Sequence, residues 1–209
     1  MTFRAIVGAK SGVNYDQSVP VQRRLPPELR RERVVDAAER VFAARPYEQV
    51  TMDAVADEAG ISRALLYRYF PGKTALFASV YQRAADRLLD QVRLDSDAPL
   101  EEQILAGLDA HLDYFVANRN AVLAANQTLA TEPVVQDIIN AELAALGDRI
   151  TTATALDPLE RQRFSAIAIS WLAFVRVLCV QWLADGHFTR DELRGICVDA
   201  LNAVLPAQS

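Results

Sequence analysis

A chain of 209 residues, 51% of them hydrophobic, is long enough for one large or two small helical domains and can bury a full core. It carries 22 Lys and Arg against 27 Asp and Glu, a net charge of −5, with two cysteines and two histidines. That inventory excludes a disulfide scaffold and offers no metal-ligand spacing.

Cys179 and Cys197 sit in apolar helical contexts and read as reduced, small hydrophobes. No uncharged apolar run is long enough to cross a bilayer, so no membrane span is expected; the nearest stretch, residues 164–185, is broken by Arg176 and Gln181. The opening MTFRAIVGAKSG lacks a long apolar segment, so no secretion signal is expected and a cytoplasmic location follows. No cofactor is expected.

Residues 1–24 hold Gly8, Gly12, Asn14, Ser18 and Pro20 without helical periodicity and read as an N-terminal arm. Its end, Arg23–Arg24, either contacts phosphate or a minor groove or belongs to a solvated tail. Pro26 and Pro27 then open a helix running to about Ala44, with Val34, Ala38, Val41 and Phe42 as its apolar stripe. Arg45 precedes Pro46, which disfavours further helix.

Residues 51–73, TMDAVADEAGISRALLYRYFPGK, read as two short helices joined by a tight turn. Thr51 can cap the first, and Met52, Val55 and Ala56 give it a buried face. Gly60 supplies the positive φ of the turn. Ser62 can cap the second helix, whose inner side is Ile61, Leu66 and Phe70; Pro71 and Gly72 stop it. Small Ala56 and Ala59 allow close approach. Outward on the second helix remain Arg63, Ala64, Tyr67 and Arg68, with Leu65 and Tyr69 at the edges. This is the pattern of a helix-turn-helix that enters the major groove of DNA. Arg63, near the N-terminus of the recognition helix, can bond guanine O6 and N7 together, while Arg68 is placed for phosphate. Tyr67 and Tyr69 can donate to phosphates, although Tyr69 equally suits packing. Lys73 falls in the first turn of the next helix, where the macrodipole disfavours a cation; an external anion such as a DNA phosphate would offset that.

These residues resemble the TetR family of bacterial regulators. The likeness runs from about Arg30 to Leu76, through RERVVDAAERVF, TMDAVADEAGIS and LLYRYFPGKTALF, and covers roughly a quarter of the chain by motif. Pro46 stands where many members have glycine, and Leu65 where a small or polar residue is common. The resemblance implies an all-α protein with a three-helix DNA-binding domain at residues 25–72 and a larger helical effector-binding and dimerisation domain at 73–209. Its DNA contacts would come from Thr51, Ser62, Arg63, Ala64, Leu65, Tyr67, Arg68, Tyr69 and Lys73.

The charge distribution agrees. Residues 23–73 hold ten Lys and Arg against eight Asp and Glu, whereas residues 74–209 hold ten Arg against eighteen acids, so a basic head sits on an acidic body.

A long helix is predicted over residues 73–93, with Leu76, Phe77, Val80, Tyr81, Ala84, Leu88 and Val92 in phase. It links head to body. Helices follow at about 99–118, 121–129 and 133–155. Asp157-Pro158-Leu159-Glu160 is a helix start by cap, proline and capping box, for a helix to about Ala184 that Gly186 ends. Thr189 and Glu192 open the last helix, to about Leu205. The 157–184 helix is apolar nearly all round, so part of its cover is expected from a second copy, forming a homodimer through the last two helices. Arg176 interrupts it and either pairs with a carboxylate across that seam or binds an anionic ligand.

Candidate effector-binding residues are His111, Tyr114, Phe115, Asn118, Asn126, Trp171 and Phe174, aromatic walls with few polar groups. The expected function is a dimeric regulator, a repressor released from a pseudo-palindromic double-stranded DNA operator by a small apolar or amphipathic effector. A helical regulator without an effector and a protein-interaction scaffold are the alternatives; the scaffold leaves Arg63 and Lys73 unexplained. An enzyme lacks a paired nucleophile and base, a phosphate loop or a metal cluster.

Overall fold

The computed structural model describes residues 26–92, 98–154 and 157–204, and every element among them is helical. The N-terminal arm with Arg23–Arg24, and the predicted ends at Arg93, Ala155 and Leu205, lie outside the described residues.

Helix α1 (Pro27–Ala44) carries a proline in its first turn, where the missing N–H costs nothing, and buries Val34, Val35, Ala37, Ala38, Val41 and Phe42. Pro46 stops it, and a single 3₁₀ turn, Tyr47–Gln49, follows. That turn has no apolar period and escaped the sequence reading. It packs Tyr47 against Phe42 and Phe77, with ring centroids 5.9 and 5.4 Å away. Helices α2 (Met52–Ala59) and α3 (Arg63–Tyr69) follow, then α4 (Lys73–Gln91), which buries Leu76, Phe77, Val80, Tyr81 and Leu88 along one face.

The body holds α5 (Leu100–Ala117), α6 (Arg119–Leu123), α7 (Pro133–Thr152), α8 (Pro158–Asp185) and α9 (Arg190–Val204). The short helix expected over 121–129 is in two registers: α6 runs into one π turn, Ala124–Thr128, a wider coil that hydrophobic periodicity does not reveal. Both capping boxes form. Asp157 accepts from the Leu159 and Glu160 N–H groups at 2.8 and 3.0 Å, and the Glu192 carboxylate accepts from the Thr189 N–H at 2.8 Å. Gly186 ends α8 at φ 68°.

One core joins head and body: Phe42, Val55, Leu66 and Phe70 pack with Leu76, Phe77 and Tyr81 of α4, Ala125 of the π turn and Val135 and Ile139 of α7. A second lies among α5, α8 and α9, built on Leu112, Phe115, Trp171, Val175, Cys179, Leu193 and Cys197. Helices α7 and α8 cross closely at Gly147, where an added Cβ would stand 2.6 Å from Ile169 Cγ1.

Helix α8 departs from the sequence reading in two ways. Its apolar girth is not all interior: Phe174 is 40% and Val177 58% exposed, so one side is bare while Trp171, Val175 and Cys179 are sealed. Arg176 does not reach across a seam. It pairs with Glu142 of α7 within the chain, and its Nη1 donates to Tyr81 Oη at 3.0 Å. Length and composition alone would let α8 cross a membrane. Its inner face, with this buried ion pair, belongs instead to the core of the body.

Candidate nucleic-acid interface

Three short-range devices build the helix-turn-helix. Thr51 Oγ1 accepts the Ala54 N–H at 3.1 Å and caps α2; Ser62 Oγ accepts the Leu65 N–H at 3.2 Å and caps α3. Between them Gly60 takes φ 65°, and its N–H closes α2 on the carbonyls of Ala56 and Asp57. Leu66 anchors α3 in the core with no exposure, and Phe70 is sealed just past its end under the Arg31 guanidinium, 4.9 Å from the ring centroid.

Burying Leu66 turns Arg63, Ala64, Tyr67 and Arg68 outward, all exposed, with Leu65 and Tyr69 half-buried at the margins. Tyr69 packs partly into the first core, which favours its structural role. Arg63 Nη1 donates to Asp53 Oδ2 at 3.1 Å, and its guanidinium lies 5.5 Å from the centre of the Tyr67 ring. Both members of this ion pair are well exposed, so its strength is small and the arginine can exchange it for another acceptor.

Lys73 is placed differently from expectation. Its Nζ donates to the carbonyls of Tyr47 and Val50 at 2.9 and 3.0 Å and lies 4.2 Å from the centre of the Tyr47 ring. Two carbonyl dipoles and a ring face thus offset the unfavourable helix end within the chain, and an external anion is not needed for that. The ammonium has a third proton still to give.

The body gathers only some of the other candidates around one space. His111 and Trp171 line a small cavity of about 30 Å³ whose remaining walls are apolar, among them Leu108, Ile150, Leu172 and Val175. His111 is buried and packs against Phe115 at a tilt of 36°, centroids 4.2 Å apart, and its Nε2 has no partner. Burial, with the Arg176 charge adding to it, holds its imidazole neutral down to a pKa of about 3. Phe115 is fully buried, also beneath Arg176. Asn118 Nδ2 donates to Tyr114 O at 2.9 Å and Asn126 Nδ2 to Val122 O at 2.8 Å, and the Asn126 side chain also bonds Tyr81. Tyr114 is half-buried, and burial raises its hydroxyl far above the usual range. Phe174 points away from this cavity, into an outer groove with Ile167, Ser170 and Ala200.

A family model described as bacterial regulatory proteins, tetR family, matches residues 34–80. The chain is 30% identical over 164 residues to the transcriptional activator FasR of Mycolicibacterium smegmatis, covering 77% of this chain and 75% of that one. It is 32% identical over 121 residues to the transcriptional repressor KstR of the same organism, 57% of this chain and 55% of KstR. This chain belongs to the TetR family. The fold agrees: a tetR-family transcriptional regulator from Streptomyces coelicolor superposes with a TM-score of 0.74 at 25% identity, over 86% of this chain and 81% of that one.

As a TetR-family member the chain is a DNA-binding transcriptional regulator, and its relatives include both an activator and a repressor. Sequence reasoning missed Asp53 as the partner of Arg63, because the pair forms across a turn and no helical spacing announces it. It also missed Glu142, for which a signal existed. Glu142 stands four residues after Ile138 and four before Leu146, on the buried stripe of α7, so a carboxylate there needed a cation.

Proposed function

We propose that this TetR-family regulator works as a homodimer that represses by binding a pseudo-palindromic operator, and that a small, largely apolar molecule releases it. Residues 25–72 act as the reading head and 73–209 as the effector and dimerisation body. The observation that carries the reading is the outward row Arg63, Ala64, Tyr67 and Arg68 on a capped helix held from behind by Leu66. Arg63 reads a base edge, Tyr67 and Arg68 hold phosphates, and Lys73 adds its third proton to the backbone contacts.

Pairing is supported by the bare apolar side of α8, Phe174 and Val177, continued by Ile196 of α9 at 38% exposure. Two heads then meet half-sites about 34–36 Å apart or a multiple of it. Selection of bound sequences from random DNA tests the reading: the expected result is an inverted repeat bound by two subunits. A single half-site bound by one subunit overturns it.

A second reading has one observation in its favour. The cavity of about 30 Å³ beside His111 holds little more than a water. In that reading the protein regulates without a small molecule; in the first, the ligand widens the cavity and so stabilises the conformation it prefers.

A further inference from the structure

The cavity between α5, α7 and α8 is walled almost entirely by apolar groups. Its walls are side chains of Leu108, Ile150, Trp171, Leu172 and Val175, and the indole nitrogen of Trp171 is directed elsewhere, donating to Cys197 O at 2.9 Å. His111 is the exception. It is more than nine-tenths buried, it borders the space, and its Nε2 finds no partner. A buried imidazole nitrogen left unpaired costs free energy that a ligand atom can recover.

The charge balance of the neighbourhood limits what that ligand atom is. Arg176 is the nearby cation; it does not line the cavity, and its two terminal nitrogens are used, one by Glu142 and one by Tyr81 Oη, which leaves only its Nε unpaired. Glu142 cancels its charge. An anion entering the cavity would therefore meet no uncompensated positive group and would lose its hydration without return. His111 cannot supply one, because its burial beside Arg176 disfavours the imidazolium.

Resting on the reading that a ligand enters this body, we propose that the cavity takes an uncharged, elongated apolar molecule carrying one hydroxyl, which bonds His111 Nε2 while the chain lies against Trp171, Leu108 and Ile150. A hydroxyl serves either neutral tautomer, since it accepts from Nε2–H or donates to a bare Nε2. The space must widen, and α5 is the wall that can yield, because it packs less extensively than α7 does against α8.

The test uses the full-length protein at pH 8 with two probes of equal chain, 1-decanol and decanoate, followed by calorimetry. The expected result is saturable binding of 1-decanol at least about tenfold tighter than decanoate. His111→Phe should weaken 1-decanol about tenfold and leave decanoate unchanged, and His111→Gln should restore most of the loss. Should His111→Phe fail to fold, the Nε2 resonance of the nitrogen-15 labelled wild type still decides, since 1-decanol must shift it. Decanoate binding as well as 1-decanol, no binding of either, an unaffected His111→Phe, or an unmoved Nε2 resonance each overturns the proposal. The two readings fail separately. If decanoate binds better and releases operator DNA, ligand control stands and the hydroxyl site falls. If 1-decanol binds as expected without changing operator affinity, the site stands and ligand control falls.

Discussion

Arg176 of α8 and Glu142 of α7 form an ion pair with side chains only 4% and 1% exposed, bridged to α4 by Tyr81. Two of the molecule's longest helices are thus held to the one that leaves the DNA-binding head. Removing one partner leaves a buried charge alone. Glu142→Ala should cost about 3–5 kcal/mol in urea unfolding, whereas Arg176→Met with Glu142→Leu should recover most of it. A double variant as unstable as the single would show that the pair is not the source of the loss.

Arg63→Ala should relax selectivity at one operator position by about 1–3 kcal/mol, measured by anisotropy on single-base variants. Asp53→Asn should strengthen binding, because it frees Arg63 and removes an anion beside the phosphates, yet it should barely change stability, since the pair is exposed. Equal losses for Arg63→Ala on operator and random DNA would contradict base reading.

Lys73 carries two separable roles. Lys73→Met should lower the stability of the chain by about 1–3 kcal/mol, because the carbonyls of Tyr47 and Val50 lose a charged donor. It should also flatten the salt dependence of DNA binding by about one phosphate. Unchanged melting with a flattened slope would leave the lysine only its phosphate.

Val177→Glu places a charge on the bare side of α8 and should give monomers by sedimentation, with poor operator affinity. Val180, three residues on, is half-buried against the second core, so Val180→Glu should instead unfold the body.

His111 makes stability depend on pH with a definite sign. Its folded pKa, about 3, lies below the ordinary 6.5, so between those values the unfolded chain binds a proton that the folded chain refuses. Stability therefore falls as pH drops below about 6.5, at up to about 1.4 kcal/mol per unit. Arg176 is the charged neighbour that adds to the depression, and it does not titrate in this window. In unfolding titrations from pH 7 to 5, above the range of the exposed carboxylates, His111→Phe should lose this slope.

The head was legible because its signals are local. Caps at Thr51 and Ser62, the left-handed Gly60 and the apolar spacing to Leu66 and Phe70 each act within a few residues, and each forms as read. The capping boxes at Asp157 and Thr189 were legible for the same reason. What escaped depends on contacts between distant segments: the carbonyls under Lys73, the partner of Arg176 and the bare side of α8. A helix apolar on all faces does not say which face is inward. That is decided by Gly147 and the carboxylate of Glu142 on α7.

Gly147 also constrains how this sequence can change. Alanine there would favour the helix by about 1 kcal/mol, yet its Cβ would meet Ile169 Cγ1 at 2.6 Å, an atom of a β-branched side chain with little freedom to turn away. Ile169→Ala removes the obstructing atom and opens room for the methyl. The two positions are therefore open to substitution in one order only, Ile169 before Gly147, and lineages that have taken the first step can no longer return to isoleucine once they have taken the second.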